Sequence, residues 1–83
     1  MYTVLLSLIA KRQLQKLEKN LQKRIIAVLE RIRLHPEKYV KRIVGDRGYR
    51  LRVGDYRIIM DIDKEKLLIL VIKISHRRSV YKG

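Results

Sequence analysis

The sequence predicts an α+β fold: an N-terminal strand, an α-helical hairpin, and a three-stranded antiparallel meander, forming one small sheet with the helices packed on one face. Three observations lead there. Apolar residues recur at helical spacing through the first half of the chain, apolar and basic residues alternate from Tyr49 to Val53, and Gly54-Asp55 supplies a two-residue turn that wants glycine first. Eighty-three residues without a Gly/Ser/Pro-rich linker make a single domain, 1–83.

Tyr2 to Leu6 is rich in strand formers and opens the chain as a strand, and Ser7 is a suitable N-cap for the segment that follows. From Leu8 to about Leu34, Leu14, Leu17, Leu21, Ile25, Val28, Leu29 and Ile32 make an apolar stripe, with Lys16, Lys19, Lys23, Arg24, Arg31 and Arg33 off it. A single helix of that length fits the stripe, but Asn20 is the expected break, giving two helices packed as a hairpin. His35-Pro36 ends the second, because a residue before proline is pushed out of the helical region. Residues 37–48 read as a mixed connector, with one helical turn near Glu37 to Val40 and a loop at Gly45, Asp46 and Gly48.

Three strands follow, near 49–53, 56–62 and 66–74, joined by Gly54-Asp55 and by the polar Asp63-Lys64-Glu65 turn. The last contains Leu67-Leu68-Ile69-Leu70-Val71-Ile72, apolar on both faces, and is expected to be central and covered on each side. A turn near Lys64 puts Val71 and Ile72 beside Arg57. It also returns the chain to the Gly54-Asp55 end at Ser75, carrying His76 and Arg77 toward Arg52 and Arg57.

Closing the first hairpin at Gly54-Asp55 sets Val53 opposite Tyr56, and so Arg52 directly opposite Arg57 on one face. Like charges facing across a ladder cost stability. A chain that accepts this is expected to hold an anion, for which a row of guanidiniums suits phosphate oxygens. An isolated charged stripe would read as a solvated sheet face; the second basic motif, His76-Arg77-Arg78-Ser79-Val80-Tyr81, favours the anion site. Tyr49 and Tyr56 fall on the apolar face and are read as core, whereas Tyr81 is read as exposed and functional.

Composition narrows the partners. Lys and Arg number 21 against 8 Asp and Glu, a formal net charge of +13, which attracts polyanions or acidic proteins. Without cysteine there are no disulfides or thiolate metal sites. His35 and His76 lack carboxylate companions at ligand spacing, so neither metal nor cofactor is expected. The apolar Val4 to Ala10 has no basic segment before it and is too short to span a bilayer, so the expected location is the cytoplasm, with no membrane partner.

The order of elements, the run Tyr49-Arg50-Leu51-Arg52-Val53-Gly54-Asp55-Tyr56-Arg57-Ile58 and the closing His76 to Tyr81 motif resemble the RelE branch of the RelE/ParE toxins across essentially the whole chain. The resemblance implies a toxin of a type II toxin-antitoxin pair: a ribosome-dependent endoribonuclease that cuts messenger RNA in the A site, by metal-independent attack of the 2′-hydroxyl on the adjacent phosphate, and so stops translation. It implies the ribosome and messenger RNA as partners. It also implies an acidic, RelB-like antitoxin in a hetero-oligomer. By motif, Arg50 and Arg52 take the positions of two basic residues on the family's second strand, Arg57 that of the arginine after Gly-x-Tyr, and Arg77 and Tyr81 those of the C-terminal motif. Well-studied members carry lysine where this chain has Arg50 and Arg52, and a guanidinium does not give up its proton. His76 is then the first candidate for general base and Tyr81 the second. Two other readings compete: a gyrase inhibitor of the ParE branch, and a non-enzymatic nucleic-acid-binding domain.

Overall fold

The computed structural model describes residues 1–45 and 48–77. The chain runs β1 (Thr3–Leu6), α1 (Leu8–Gln15), α2 (Lys19–Ile32), a single 3-10 turn (Pro36–Lys38), β2 (Lys41–Arg42), β3 (Tyr49–Val53), β4 (Tyr56–Asp63) and β5 (Leu68–His76). The strands form one sheet in the order β1-β5-β4-β3-β2, antiparallel except for the parallel β1–β5 pair. Thus the α+β class, the opening strand, two helices and the meander are all present.

Both helices lie against one face of the sheet. Ala10 and Leu14 of α1 and Ile25, Leu29 and Ile32 of α2 are buried against Leu51, Val53, Ile58, Met60, Ile69, Val71 and Ile74. Each fully buried Val, Leu, Ile or Met side chain among these stabilises the fold by about 1.5–3 kcal/mol. The helices are separated at residues 16–18, earlier than Asn20. Asn20 instead sits in the first turn of α2, where amide donors have no intrahelical partner to lose. No side chain caps α2 at Glu18; the Gln22 side-chain amide instead donates back to the Leu17 carbonyl at 2.7 Å, satisfying an acceptor of the turn between the helices.

Ser7 does cap α1: its Oγ accepts from the Ala10 N–H at 3.0 Å and donates to the Ile72 carbonyl at 2.7 Å. Beyond the end of β1, α1 keeps satisfying the edge of β5, since the Gln13 Oε1 accepts from the Ile74 N–H at 2.6 Å. Side chains there take over the pairing that a longer β1 would supply.

Two expectations for β5 need correction. It is internal to the sheet, but among the described residues the helices cover only one of its faces. Ile69, Val71 and Ile74 are buried, while Leu68 and Leu70 are half-buried and Ile72 is 41% exposed on the other side. An all-apolar run does not by itself show a second covering layer. The register is also displaced: Arg57 pairs with Ser75, and Tyr56 with His76. Two local features produce this. The turn spans 64–67, with the Asp63 carboxylate accepting from the Glu65 and Lys66 N–H groups and Leu67 at φ 52°. In addition, β5 carries one extra residue between the pairs Met60–Val71 and Ile59–Lys73.

The two-residue strand β2 was not expected within the 37–48 connector. It pairs Lys41 with Arg50 and Arg42 with Tyr49, closing the far edge of the sheet with basic residues.

Candidate anion-binding face

The hairpin of β3 and β4 builds the site. Gly54 takes φ +58° while Asp55 stays at negative φ, as a turn with glycine in its first position requires. This fixes Val53 against Tyr56 and Arg52 against Arg57. Period-two alternation then sends Leu51 and Val53 to the core and Arg50, Arg52 and Arg57 to the face that the helices leave open. Arg50 and Arg52 are exposed and Arg57 is half-buried. The Arg52 Nε donates to the Gly54 carbonyl at 3.3 Å, which lays its guanidinium along the turn.

Two further cations join this face, and sequence reasoning missed both. Lys41 is registered with Arg50, and Lys73 with Ile59, itself two pairs along from Arg57 and so on the same face. The short β2 gave no periodic signal, and Lys73 stands in a run otherwise read as apolar. Lys41, Arg50, Arg52, Arg57 and Lys73 therefore form a basic band across four strands. Lys41, Arg50, Arg52 and Lys73 are in no salt bridge among the described residues. Their charge is available to an incoming anion, and a planar guanidinium can bind two phosphate oxygens at once.

The C-terminal motif divides. The chain does return to the Gly54-Asp55 end, where the Arg77 N–H donates to the Asp55 carbonyl at 2.7 Å and Arg77 is exposed. His76 does not join Arg52 and Arg57 as expected. The extra residue in β5 reverses the alternation, so Ser75 stands across from Arg57, and His76 turns to the helix side. There its ring meets the Tyr56 ring edge-on at 5.0 Å. Tyr81 lies outside the described residues. Tyr49 and Tyr56 border the core as half-buried rings, and the Arg42 guanidinium lies 6.0 Å from the centre of the Tyr49 ring.

Among the described residues, no group of three or more His, Cys, Asp or Glu side chains could hold a metal ion. No helix is long and apolar enough to cross a membrane. What the face offers chemically is dense, fixed positive charge next to a short hydroxyl, Ser75.

Comparison with known proteins adds three results. The family model for the ParE toxin of type II toxin-antitoxin systems matches residues 4–81. No curated protein matches the chain. Solved structures match closely: a chain of the RelBE2 toxin-antitoxin complex from Mycobacterium tuberculosis is 27% identical with a TM-score of 0.78, covering 92% of this chain and 98% of its own. A chain of the RelE-RelB complex from Pyrococcus horikoshii is 28% identical with a TM-score of 0.76, covering 92% and 94%. A chain of the RelB-RelE complex from Methanococcus jannaschii is 26% identical with a TM-score of 0.74, covering 93% and 94%.

Proposed function

Since this chain belongs to the ParE toxin family of type II toxin-antitoxin systems, we propose that it is the toxin of such a pair and acts as a ribosome-dependent endoribonuclease on messenger RNA. One observation carries this reading: Arg52 and Arg57 face each other on the sheet face that the helices leave open, in a basic band that a merely structural sheet has no reason to keep. The likeness to chains of RelE-RelB complexes supports the same branch.

In the proposed reaction the ribose 2′-oxygen attacks the adjacent phosphorus and the 5′-oxygen leaves, giving a cyclic phosphate and a 5′-hydroxyl. Charge builds on the phosphorane oxygens. Arg52 and Arg57, with Arg50 and Arg77 beside them, stabilise that charge more than the ground state, which is where preorganised cations accelerate a reaction. The 2′-proton passes to a group other than these guanidiniums. Because His76 faces the helices, the base role first assigned to it loses its geometric support. Activity on the ribosome would place the protein in the cytoplasm.

An acidic RelB-like antitoxin is the proposed partner in a hetero-oligomer. The open face offers such a segment the basic band for its carboxylates and Leu5, Leu70 and Ile72 for its apolar residues.

The test is a translation extract given the purified chain, with messenger RNA ends mapped. Codon-phased cuts that fall roughly a hundredfold for Arg57→Ala support the proposal. Uncut message with intact toxin binding would reduce the protein to a nucleic-acid binder. The ParE description of the matched family favours a second reading, inhibition of gyrase. Loss of supercoiling in a gyrase assay, with no cleavage in the extract, would establish it instead.

A further inference from the structure

A second basic surface lies on the helix side of the same hairpin. The turn between α1 and α2 and the start of β4 enclose an open cleft of about 490 Å³, lined by Lys16, Asn20, Leu21, Arg24 and Tyr56 among others. Among the described residues Glu18 is its one carboxylate. Lys16, Glu18 and Arg24 are in no salt bridge among the described residues, so neither cation is neutralised by the acid beside it.

The cleft and the open-face band meet at one turn. A Cβ placed on Gly54 would stand 3.4 Å from the Arg24 Nη1, so Arg24 abuts the turn from the helix side. From the opposite face, Arg52 holds the Gly54 carbonyl. Positive charge therefore flanks the hairpin tip, with Arg52 and Arg57 on one side and Arg24 and Lys16 on the other, and the exposed Asp55 in the turn between them.

The floor of the cleft differs from the band in one respect: it has a ring. Tyr56 is half-buried, with one part packed on the core and the rest lining the cleft, and the edge-on contact with His76 fixes its tilt. A fixed aromatic surface beside unneutralised cations in an open cleft is how single-stranded nucleic acid is held without sequence readout.

We propose that this cleft is a single-stranded RNA subsite, which takes a nucleotide flanking the scissile phosphate: its base against Tyr56, its phosphate on Arg24 and Lys16, with Asn20 in reach of the base edge. The inference rests on the endoribonuclease reading. It adds to that reading a strand path over the Gly54-Asp55 tip and a role for a residue of α2.

Fluorescence anisotropy with 2′-deoxy-substituted, uncleavable oligonucleotides tests it, because binding is read without turnover. Two lengths are used, a trinucleotide that the open face alone can hold and an octanucleotide that can cross the turn. Arg24→Gln should weaken the octanucleotide roughly tenfold, the size of one lost phosphate contact with partial loss of stacking, and leave the trinucleotide unchanged. Lys16→Gln, on the exposed rim, should act in the same direction and keeps the test independent of any folding defect in Tyr56 variants. Equal octanucleotide affinity for wild type and Arg24→Gln, with the wild type binding RNA, would overturn the subsite and leave the endoribonuclease reading standing. Wild-type protein that binds neither oligonucleotide overturns the subsite, while the endoribonuclease reading stands or falls separately on cleavage in the translation extract. If Arg24→Gln weakens only the binding of an acidic helical peptide, the cleft is a protein contact and the RNA subsite is wrong.

Discussion

Replacing Arg52 with Gln should make the protein more stable and less active at once. Arg52 and Arg57 are directly opposed across the β3–β4 ladder, which brings their Cβ atoms to about 5 Å. Two unit charges at that distance repel by about 0.8 kcal/mol in a water-like dielectric and by about 3 kcal/mol at an effective dielectric near 20. Arg52 is exposed and both side chains can splay apart, so the lower figure applies and is further reduced by screening. The hydrogen bond that Arg52 gives Gly54 is long, at 3.3 Å, and offsets little of this. The net gain for Arg52→Gln is about 0.5 kcal/mol at low ionic strength, or about 2–4 °C in Tm for a domain of this size. Thermal unfolding followed by circular dichroism at about 10 mM and about 1 M salt provides the check, because the screening length shrinks roughly tenfold between them. The stabilisation should be present in the first condition and absent in the second, while cleavage falls at least tenfold. A variant that is destabilised, or whose gain ignores salt, would show that the two guanidiniums do not repel, and the argument for a retained anion site would lose its foundation.

Three further outcomes are expected. His76→Ala should keep cleavage within about tenfold of wild type, since His76 faces Tyr56 and the helices rather than Arg57; a loss as large as that of Arg57→Ala, with unchanged Tm, would restore it as the base. Gln13→Ala should lower stability by about 1–2 kcal/mol in a urea titration because it strands the Ile74 N–H, whereas Gln13→Glu, which keeps the acceptor, should recover most of that. RNA affinity should drop roughly thirtyfold between about 50 and 200 mM salt if three or four phosphates are neutralised on the band, and a flat salt profile would contradict the electrostatic account.

The hairpin was legible in the sequence because its signals are local. Alternation from Tyr49 to Val53 and the Gly54-Asp55 turn are enough to fix the Arg52–Arg57 pair. The path of β5 was not, and the reason is physical. The extra residue near Ile72 and Lys73 adds no recognisable residue type to an aliphatic run, yet it inverts the face of everything after it. That is why Ser75 rather than His76 came to stand beside Arg57. The break at residues 16–18 was misplaced because Asn20 suits the first turn of a helix as well as a gap between helices. Lys41 and Lys73 joined the band only through pairing partners distant in sequence, which spacing along the chain cannot show.

The parallel pairing of β1 with β5 has a consequence for how the molecule comes into being. Thr3 meets Leu68 and Leu6 meets Val71, so the first strand made must wait for the last before it has a neighbour. Contacts of such long sequence separation close late and set the pace of folding. During synthesis the β3–β4 hairpin can fold locally, but α1 has no β5 edge for Ser7 and Gln13 to cap until the C-terminal strand has left the ribosome. The finished sheet thus exists only once β5 has emerged, a timing built into strand order.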